Sequence, residues 1–463
     1  MGKHYELIVI GAGPGGYPAA LRAAGAGHKT AVVEKASLGG TCLNCGCIPT
    51  KTYLHTTNLL REAKAAAAAG LTLTGAAVHM KALKERKDAV VKELRQGIEK
   101  QFAACHADVY DGTGVIGENE GGGHVVTVKL RDGGVEELTA DYILVAAGSE
   151  PSLLPVPGID LPGVENSTTM LEKEEVCRRL LIIGGGVIGM EFATIYSDLG
   201  CEVTVVEAMD RILPGMDREI SQNLKMIMKK RGVSIHTGAL VKSIERMGDG
   251  SLSCKFTEKE KELVAAADTV LAAVGRRPCG RGVFSGKMQK EVLDEKGRIL
   301  TDASYETAIP GIYAVGDAIG GVQLAHVATA EGYCALSHMF EGLEGKEMSV
   351  IPSCVYTDPE IACVGLTADE AKAAGIAAKT GKYIMSLNGK SVLSMQERGF
   401  IKIVTEEESG RVIGAQLMCA RATDMIGEIS LAISKGLTAK DLARIVMPHP
   451  TFCEGVGEAA EKL

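Results

Sequence analysis

One feature limits the fold more than any other: a short apolar strand running into a glycine-rich turn occurs twice. Leu7-Ile8-Val9-Ile10 precedes Gly11-Ala12-Gly13-Pro14-Gly15-Gly16, and Leu180 to Ile183 precede Gly184-Gly185-Gly186-Val187-Ile188-Gly189. A second strand then ends in an acid, Thr30 to Val33 at Glu34 and Val203 to Val206 at Glu207. The acid stands 23 positions beyond the first glycine in both copies, Gly11 to Glu34 and Gly184 to Glu207. Each unit closes on a buried strand ending in glycine, Asp141 to Gly148 and Asp268 to Gly275. In such units the first glycine permits the turn, the second lets a pyrophosphate approach the backbone, and the third lets the helix pack closely. Gly11, Gly13 and Gly16, then Gly184, Gly186 and Gly189, fill these places. The fold class is therefore α/β, with two Rossmann-like dinucleotide-binding domains, and two bound dinucleotides are expected.

With 463 residues the chain is too long for one ordinary domain. Pro151, Pro155, Pro157 and Pro162 mark a boundary. The expected division is 1–150 for the first nucleotide domain, 151–275 for the second, 276–347 for a return segment to the first, and 348–463 for a C-terminal α+β unit. In that last part Phe400 to Val404 and Val412 to Ala415 read as strands, and Met425 to Ile433 as a helix. Within the first domain, Val90, Leu94, Ile98 and Phe102 predict one buried helical stripe. Val125 to Leu130 and the turn Asp132-Gly133-Gly134 predict a β-meander.

Hydrophobic content of 46% and charged content of 23% are those of a packed soluble protein. The formal charge of −8 argues against nucleic-acid binding, which needs a basic surface. Met1 leads almost directly into the first strand without a leader pattern, and the run Leu180 to Met190 is too broken by glycine to span a bilayer. A cytoplasmic location away from any membrane is expected.

Three of the thirteen cysteines crowd into Cys42-Leu43-Asn44-Cys45-Gly46-Cys47. In a chain without an export signal this points to redox chemistry rather than a structural bridge. Residues five apart on an ideal helix are separated by about 7.5 Å of rise and roughly 140° of rotation. Cys42 and Cys47 could pair only on an irregular first turn, which Gly46 and Pro49 would permit. A dithiol beside two dinucleotides implies electrons passing between them. The other reading, three cysteines as ligands of zinc or an iron–sulfur cluster, lacks a second nearby Cys/His pair; no metal is expected.

Near the C-terminus, Met447-Pro448-His449-Pro450-Thr451-Phe452-Cys453-Glu454 holds the best candidate for a general base. A dithiol must lose protons to attack a disulfide; a histidine can take them, and a carboxylate on its other nitrogen raises its basicity. His449 and Glu454 fit these roles, whereas His4, His28, His55 and His338 read as structural. Glu207 favours NAD, because a carboxylate there bonds a ribose 2′-hydroxyl and repels a 2′-phosphate. Arg211, the one nearby cation, is read as a solvated partner of Asp210.

The run Cys-Leu-Asn-Cys-Gly-Cys-Ile-Pro-Thr-Lys over Cys42–Lys51 resembles the redox motif of the flavin-dependent pyridine nucleotide–disulfide oxidoreductases, most closely the dihydrolipoamide dehydrogenases. Both fingerprints, Gly316-Asp317 and the His449 segment follow in the expected order, so the resemblance covers nearly the whole chain. It implies FAD in the first copy and NAD in the second, and a C-terminal dimerisation domain with a homodimer. It implies a Cys42–Cys47 redox disulfide, with Cys42 exchanging with substrate and Cys47 facing the flavin. It further implies FAD contacts from Glu34, Lys51, Gly148, Asp317 and Ala325, and NAD contacts from Glu191, Glu207 and Gly275, with Lys51 and Glu191 paired. The implied reaction oxidises protein-bound dihydrolipoyl groups with reduction of NAD⁺, the partner being a lipoyl protein of a 2-oxo acid dehydrogenase or glycine cleavage complex. A glutathione-reductase-like, NAD(P)H-dependent disulfide reductase is the alternative. Cys45 replaces an apolar residue of the family pattern, and Cys453 replaces a small one.

Overall fold

A computed structural model describes residues 3–118, 123–396 and 398–463. The first nucleotide sheet is built on Lys3–Ile10, with Thr30–Glu34 parallel on one side and Val135–Val145 on the other. Asp108–Gly117 adds in parallel beyond Thr30–Glu34, and Ile312–Ala314 beyond Val135–Val145. The predicted meander and the closing strand prove to share one element: Val135–Val145 turns back on His124–Leu130 through Asp132-Gly133-Gly134 and then runs on into the parallel sheet. Its registers align Ile10 with Val33 and with Val145, which sets all three strand ends at one edge. Parallel strands of this kind end at a crevice where ligands bind.

The second sheet repeats the plan. Its parallel order is Ser234–Thr237, Glu202–Glu207, Arg179–Ile183, Thr269–Ala272 and Val164–Asn166. A three-stranded antiparallel meander, Ala239–Arg246, Leu252–Glu258 and Lys261–Ala267, takes the place of the first copy's meander. A five-stranded antiparallel sheet follows in the order Ser353–Val355, Ile361–Gly365, Val412–Met418, Phe400–Glu406 and Ala378–Ile384. The helices Ala422–Ser434 and Glu454–Ala460 pack on it.

The helical stripe is corrected by the structure. The helix Met80–Ala104 buries Met80, Leu83, Lys87, Val91, Ile98 and Phe102, while Leu94 is 44% exposed. By helix angle Leu94 falls within the arc that Leu83, Lys87 and Ile98 bury, so its exposure is set by what packs beside that turn of the helix and not by the four-residue spacing. Lys87 enters the face because its ammonium reaches Asp88 at 2.8 Å and Glu172 at 2.5 Å. Among the described residues, no helix is long and apolar enough to cross a membrane.

Candidate functional site

The two glycine turns are superimposable in their logic. Gly11 and Gly184 have φ of +99° and +107°, and a Cβ on either would meet a carbonyl of the closing strand, Ala146 O at 2.4 Å and Ala273 O at 2.3 Å. A Cβ at Gly16 or Gly189 would stand 1.9 Å from the first glycine's own carbonyl oxygen, so the helix can approach its turn only without side chains. Gly13 and Gly186 differ: neither Cβ would meet protein closer than 3.8 Å, and both residues line a cavity. Their bare backbone is open to a ligand, the arrangement that a pyrophosphate needs.

Each acid braces its turn. Glu34 accepts from the amides of Ala12 and Ala36, both at 2.7 Å, and Glu207 accepts from Gly185 at 2.5 Å and Met209 at 2.7 Å. Both carboxylates line the cavity and keep lone pairs for a ribose. Arg211 departs from its expected pairing: its guanidinium donates to Pro214 O at 2.7 Å, while Asp210 faces Arg218 at 4.0 Å. The carbonyls of a tight loop outcompete an exposed neighbouring carboxylate.

The cysteine segment lies against the first turn. Gly40 opens the helix Gly40–Cys45, and a Cβ on it would stand 2.5 Å from Gly13 Cα. Asn44 donates to Leu38 O and Gly40 O, both at 2.9 Å, and accepts from Arg95 at 2.9 Å, which fixes the entry to this helix. The helix breaks at Gly46 (φ −139°, ψ −107°) and restarts as Cys47–Ala65. This is the irregularity that pairing requires, because it removes the rotation separating Cys42 from Cys47. Both are free thiols in the structure, close enough for each to shift the other's titration. The hydrogen bond from Cys42, aided by the Lys51 charge, lowers the Cys47 pKa to about 7, and the same bond with burial raises that of Cys42. Cys47 is thus the thiolate of the pair near neutrality.

One turn on, Lys51 Nζ donates to both oxygens of Glu191 at 2.9 Å and sits 4.5 Å from the Tyr356 ring centroid. Glu191 is 3% exposed, and the Tyr356 amide also donates to it at 3.0 Å. Tyr356 was not singled out in the sequence; no local signal marks it. A second cluster holds Asp317, whose carboxylate accepts from Ser149 Oγ, while Arg276 donates to Ser149 Oγ at 2.7 Å and Ser149 O at 2.6 Å. Here the signal was available: Ser149 and Arg276 each follow the closing glycine of their copy, and the strands Ser149–Pro151 and Arg276–Pro278 pair antiparallel.

A single cavity of about 1730 Å³ joins these parts, well above the ~300–1,000 Å³ of a one-ligand pocket. It is lined by the first two glycines of each turn, both acids, Cys42, Cys45, Cys47, Lys51, Glu191, Gly148, Gly275, Asp317 and Ala325. Gly16 and Gly189 lie behind it, in helix packing. Among the described residues no three His, Cys, Asp or Glu side chains are grouped to hold a metal ion.

His449 and Glu454 do not line this cavity. His449 Nδ1 bonds Glu454 Oε1 at 2.9 Å, and the Thr451 amide donates to Glu454 Oε2 at 2.8 Å. These two bonds, the amide first, hold the Glu454 carboxyl below its usual range. The imidazole is otherwise 76% exposed and its Nε2 is free to meet a partner.

Residues 5–332 match the family model described as pyridine nucleotide-disulphide oxidoreductase, and residues 351–460 match that family's dimerisation domain. A dihydrolipoyl dehydrogenase of Bacillus subtilis is 38% identical over 468 aligned positions, spanning 99% of this chain and 98% of its own. A dihydrolipoamide dehydrogenase of Chaetomium thermophilum is 38% identical, spanning 98% and 90%. Among solved structures, LpdA from Mycobacterium tuberculosis superimposes with a TM-score of 0.90 at 27% identity over 99% of both chains. The HOCl-induced flavoprotein disulfide reductase RclA from Escherichia coli superimposes with 0.85 at 27% identity, again over 99% of both.

Proposed function

The chain belongs to the pyridine nucleotide-disulphide oxidoreductase family, and from that membership we propose that it oxidises protein-bound dihydrolipoyl groups with reduction of NAD⁺. It is an oxidoreductase whose cofactors are FAD and NAD. The observation that carries the reading is the Cys42/Cys47 dithiol, lodged in a cavity that both glycine turns share. FAD, when bound, supplies an acceptor of an electron pair that can be passed on as hydride to NAD⁺. Gly11, Gly13, Gly148, Glu34, Asp317 and Ala325 would hold it, and Lys51 with Glu191 would lie near its redox end. Gly184, Gly186, Glu207 and Gly275 would hold the nicotinamide nucleotide. On this assignment residues 1–150 and 276–347 form the FAD domain, 151–275 the NAD domain and 348–463 the dimerisation domain.

In the proposed sequence His449 takes a proton from the substrate dithiol. The thiolate attacks Cys42 Sγ; the Cys42–Cys47 bond breaks, Cys42 is held in a mixed disulfide with the substrate, and Cys47 leaves as a thiolate beside the Lys51 charge. The second substrate sulfur then attacks the mixed disulfide, closing the lipoyl ring; Cys42 leaves and takes that thiol's proton, and as a thiol it donates to the Cys47 thiolate. Because His449 lies outside its own chain's cavity, it would serve the disulfide of the second subunit. The dimerisation domain supplies the contact, and it exposes large apolar side chains, Val446 at 94% and Leu387 at 69% among them. A cytoplasmic lipoyl protein is the partner that this reading requires.

Comparing NADH and NADPH as donors, with lipoamide and glutathione disulfide as acceptors, tests it. Turnover with NADH and lipoamide is expected to exceed every other combination by roughly 100-fold or more, since leaving site groups unpaired or repelled costs several kcal/mol. Preference for NADPH and glutathione disulfide would establish the alternative. In a second test, Gly189→Ala forces the turn against Gly184 O and is expected to raise the KM for NAD⁺ by roughly tenfold while bound flavin stays stoichiometric. An unchanged KM would detach the second turn from nucleotide binding.

A further inference from the structure

Outside the cavity a second pair of sulfurs lies in contact. Cys177 leads into the strand Arg179–Ile183 and Cys201 into Glu202–Glu207, parallel neighbours whose register sets Arg179 beside Glu202, and their Sγ atoms stand 3.6 Å apart. Cys177 lies one residue out of register with Cys201, so strands about 4.8 Å apart with a rise of about 3.3 Å per residue set their Cα atoms roughly 6 Å apart, inside the separation a disulfide accepts, and the sulfurs need close only about 1.5 Å. Cys201 is 7% exposed and also faces Arg178 O at 3.4 Å, whereas Cys177 is half-buried and reachable. Neither residue lines the cavity or belongs to the machinery described above.

We propose that Cys177 and Cys201 are a second dithiol–disulfide couple, oxidised by hydroperoxides, which staples the two central strands of the second nucleotide unit. Cys177 is the more exposed of the two sulfurs and so meets the oxidant first, and its hydrogen bond with Cys201 lowers its pKa while that bond and burial raise the pKa of Cys201, so Cys177 is the nucleophile. Its sulfur attacks the peroxide O–O bond; an S–O bond forms and the departing oxygen leaves as water or alcohol. The Cys201 sulfur then attacks the sulfenic sulfur, the S–S bond forms, the S–O bond breaks and water leaves. The two thiols have lost two electrons and two protons, which the peroxide has gained. The bridge encloses the Gly184–Gly189 turn and the helix Val187–Asp198, but it sits at the far end of a five-residue strand, roughly 17 Å from the turn. It tightens the unit without obstructing the cavity, and it stops Cys177 from oxidising further.

The test uses the full-length holoenzyme, treated with hydrogen peroxide, alkylated with iodoacetamide and digested with trypsin without reduction. Cys177 falls in the peptide Glu174–Arg178 and Cys201 in Leu180–Arg211. The expected result is these two peptides joined in most molecules, with the thermal midpoint raised by roughly 5 °C and NAD⁺ reduction unchanged. In Cys201→Ser the midpoint does not rise and Cys177 is recovered as its sulfenic-acid adduct with dimedone. If that variant does not fold, the map of the unaltered chain decides alone. Both cysteines found alkylated, or Cys177 found as sulfinic acid without a crosslink, would overturn the proposal.

Discussion

Replacing Cys47 by serine is expected to reduce dithiol-dependent NAD⁺ reduction by roughly 10³-fold or more, while FAD stays bound at one per chain. The size follows from the chemistry: without Cys47 no disulfide exists for substrate to attack, and a serine hydroxyl can neither bond to Cys42 nor leave as a stable anion near neutrality. Flavin retention follows from geometry, because the groups expected to hold it, from Gly11 to Asp317, lie on other elements of the cavity wall. Steady-state NADH formation with dihydrolipoamide and the visible absorbance of the purified variant measure the two halves separately. Wild-type turnover would remove Cys47 from the reaction. Loss of flavin would instead make it a structural residue.

His449→Gln is expected to slow flavin reduction by dihydrolipoamide by roughly 10²- to 10⁴-fold, the usual worth of a general base. Glutamine keeps much of the imidazole's size and can still hydrogen-bond Glu454, but it cannot take a proton. Glu454→Gln should fall short of that loss, since its oxygen can keep the bond to Nδ1 while it gives up the Thr451 amide bond and the charge that favours imidazolium. The carboxyl, already held low by the Thr451 amide and His449, stays ionised throughout the neutral range, so it adds no inflection of its own there. Stopped-flow absorbance is the measurement, and rates equal to wild type would show that another group carries the proton. Mixed dimers extend the test. A heterodimer of Cys47→Ser and His449→Gln chains has one site carrying both lesions and one carrying neither, so about half the wild-type activity is expected if the base acts across the interface.

Much of this was legible because it is local. The 23-residue spacing of each turn and acid, the strand between them and the glycine positions depend on neighbours in the chain, and the structure places them as read. The break in the cysteine helix was also readable, since Gly46 sits where two thiols five apart need the rotation undone. Where the reading failed, it failed on packing partners. The helix Met80–Ala104 left Leu94 exposed and drew Lys87 in, and Arg211 bonded to loop carbonyls rather than to Asp210.

By itself, then, the sequence determined two nucleotide units, a cysteine pair between them and a histidine with its carboxylate, because each rests on φ values and spacings that a few adjacent residues dictate. Tertiary structure alone decided that the Tyr356 amide and ring would complete the Lys51–Glu191 pair across 165 residues. It also decided that Cys177 and Cys201 would touch. Such contacts are set by strand register and by close packing summed over whole cores, in which a shift of one residue or a few tens of degrees changes every partner.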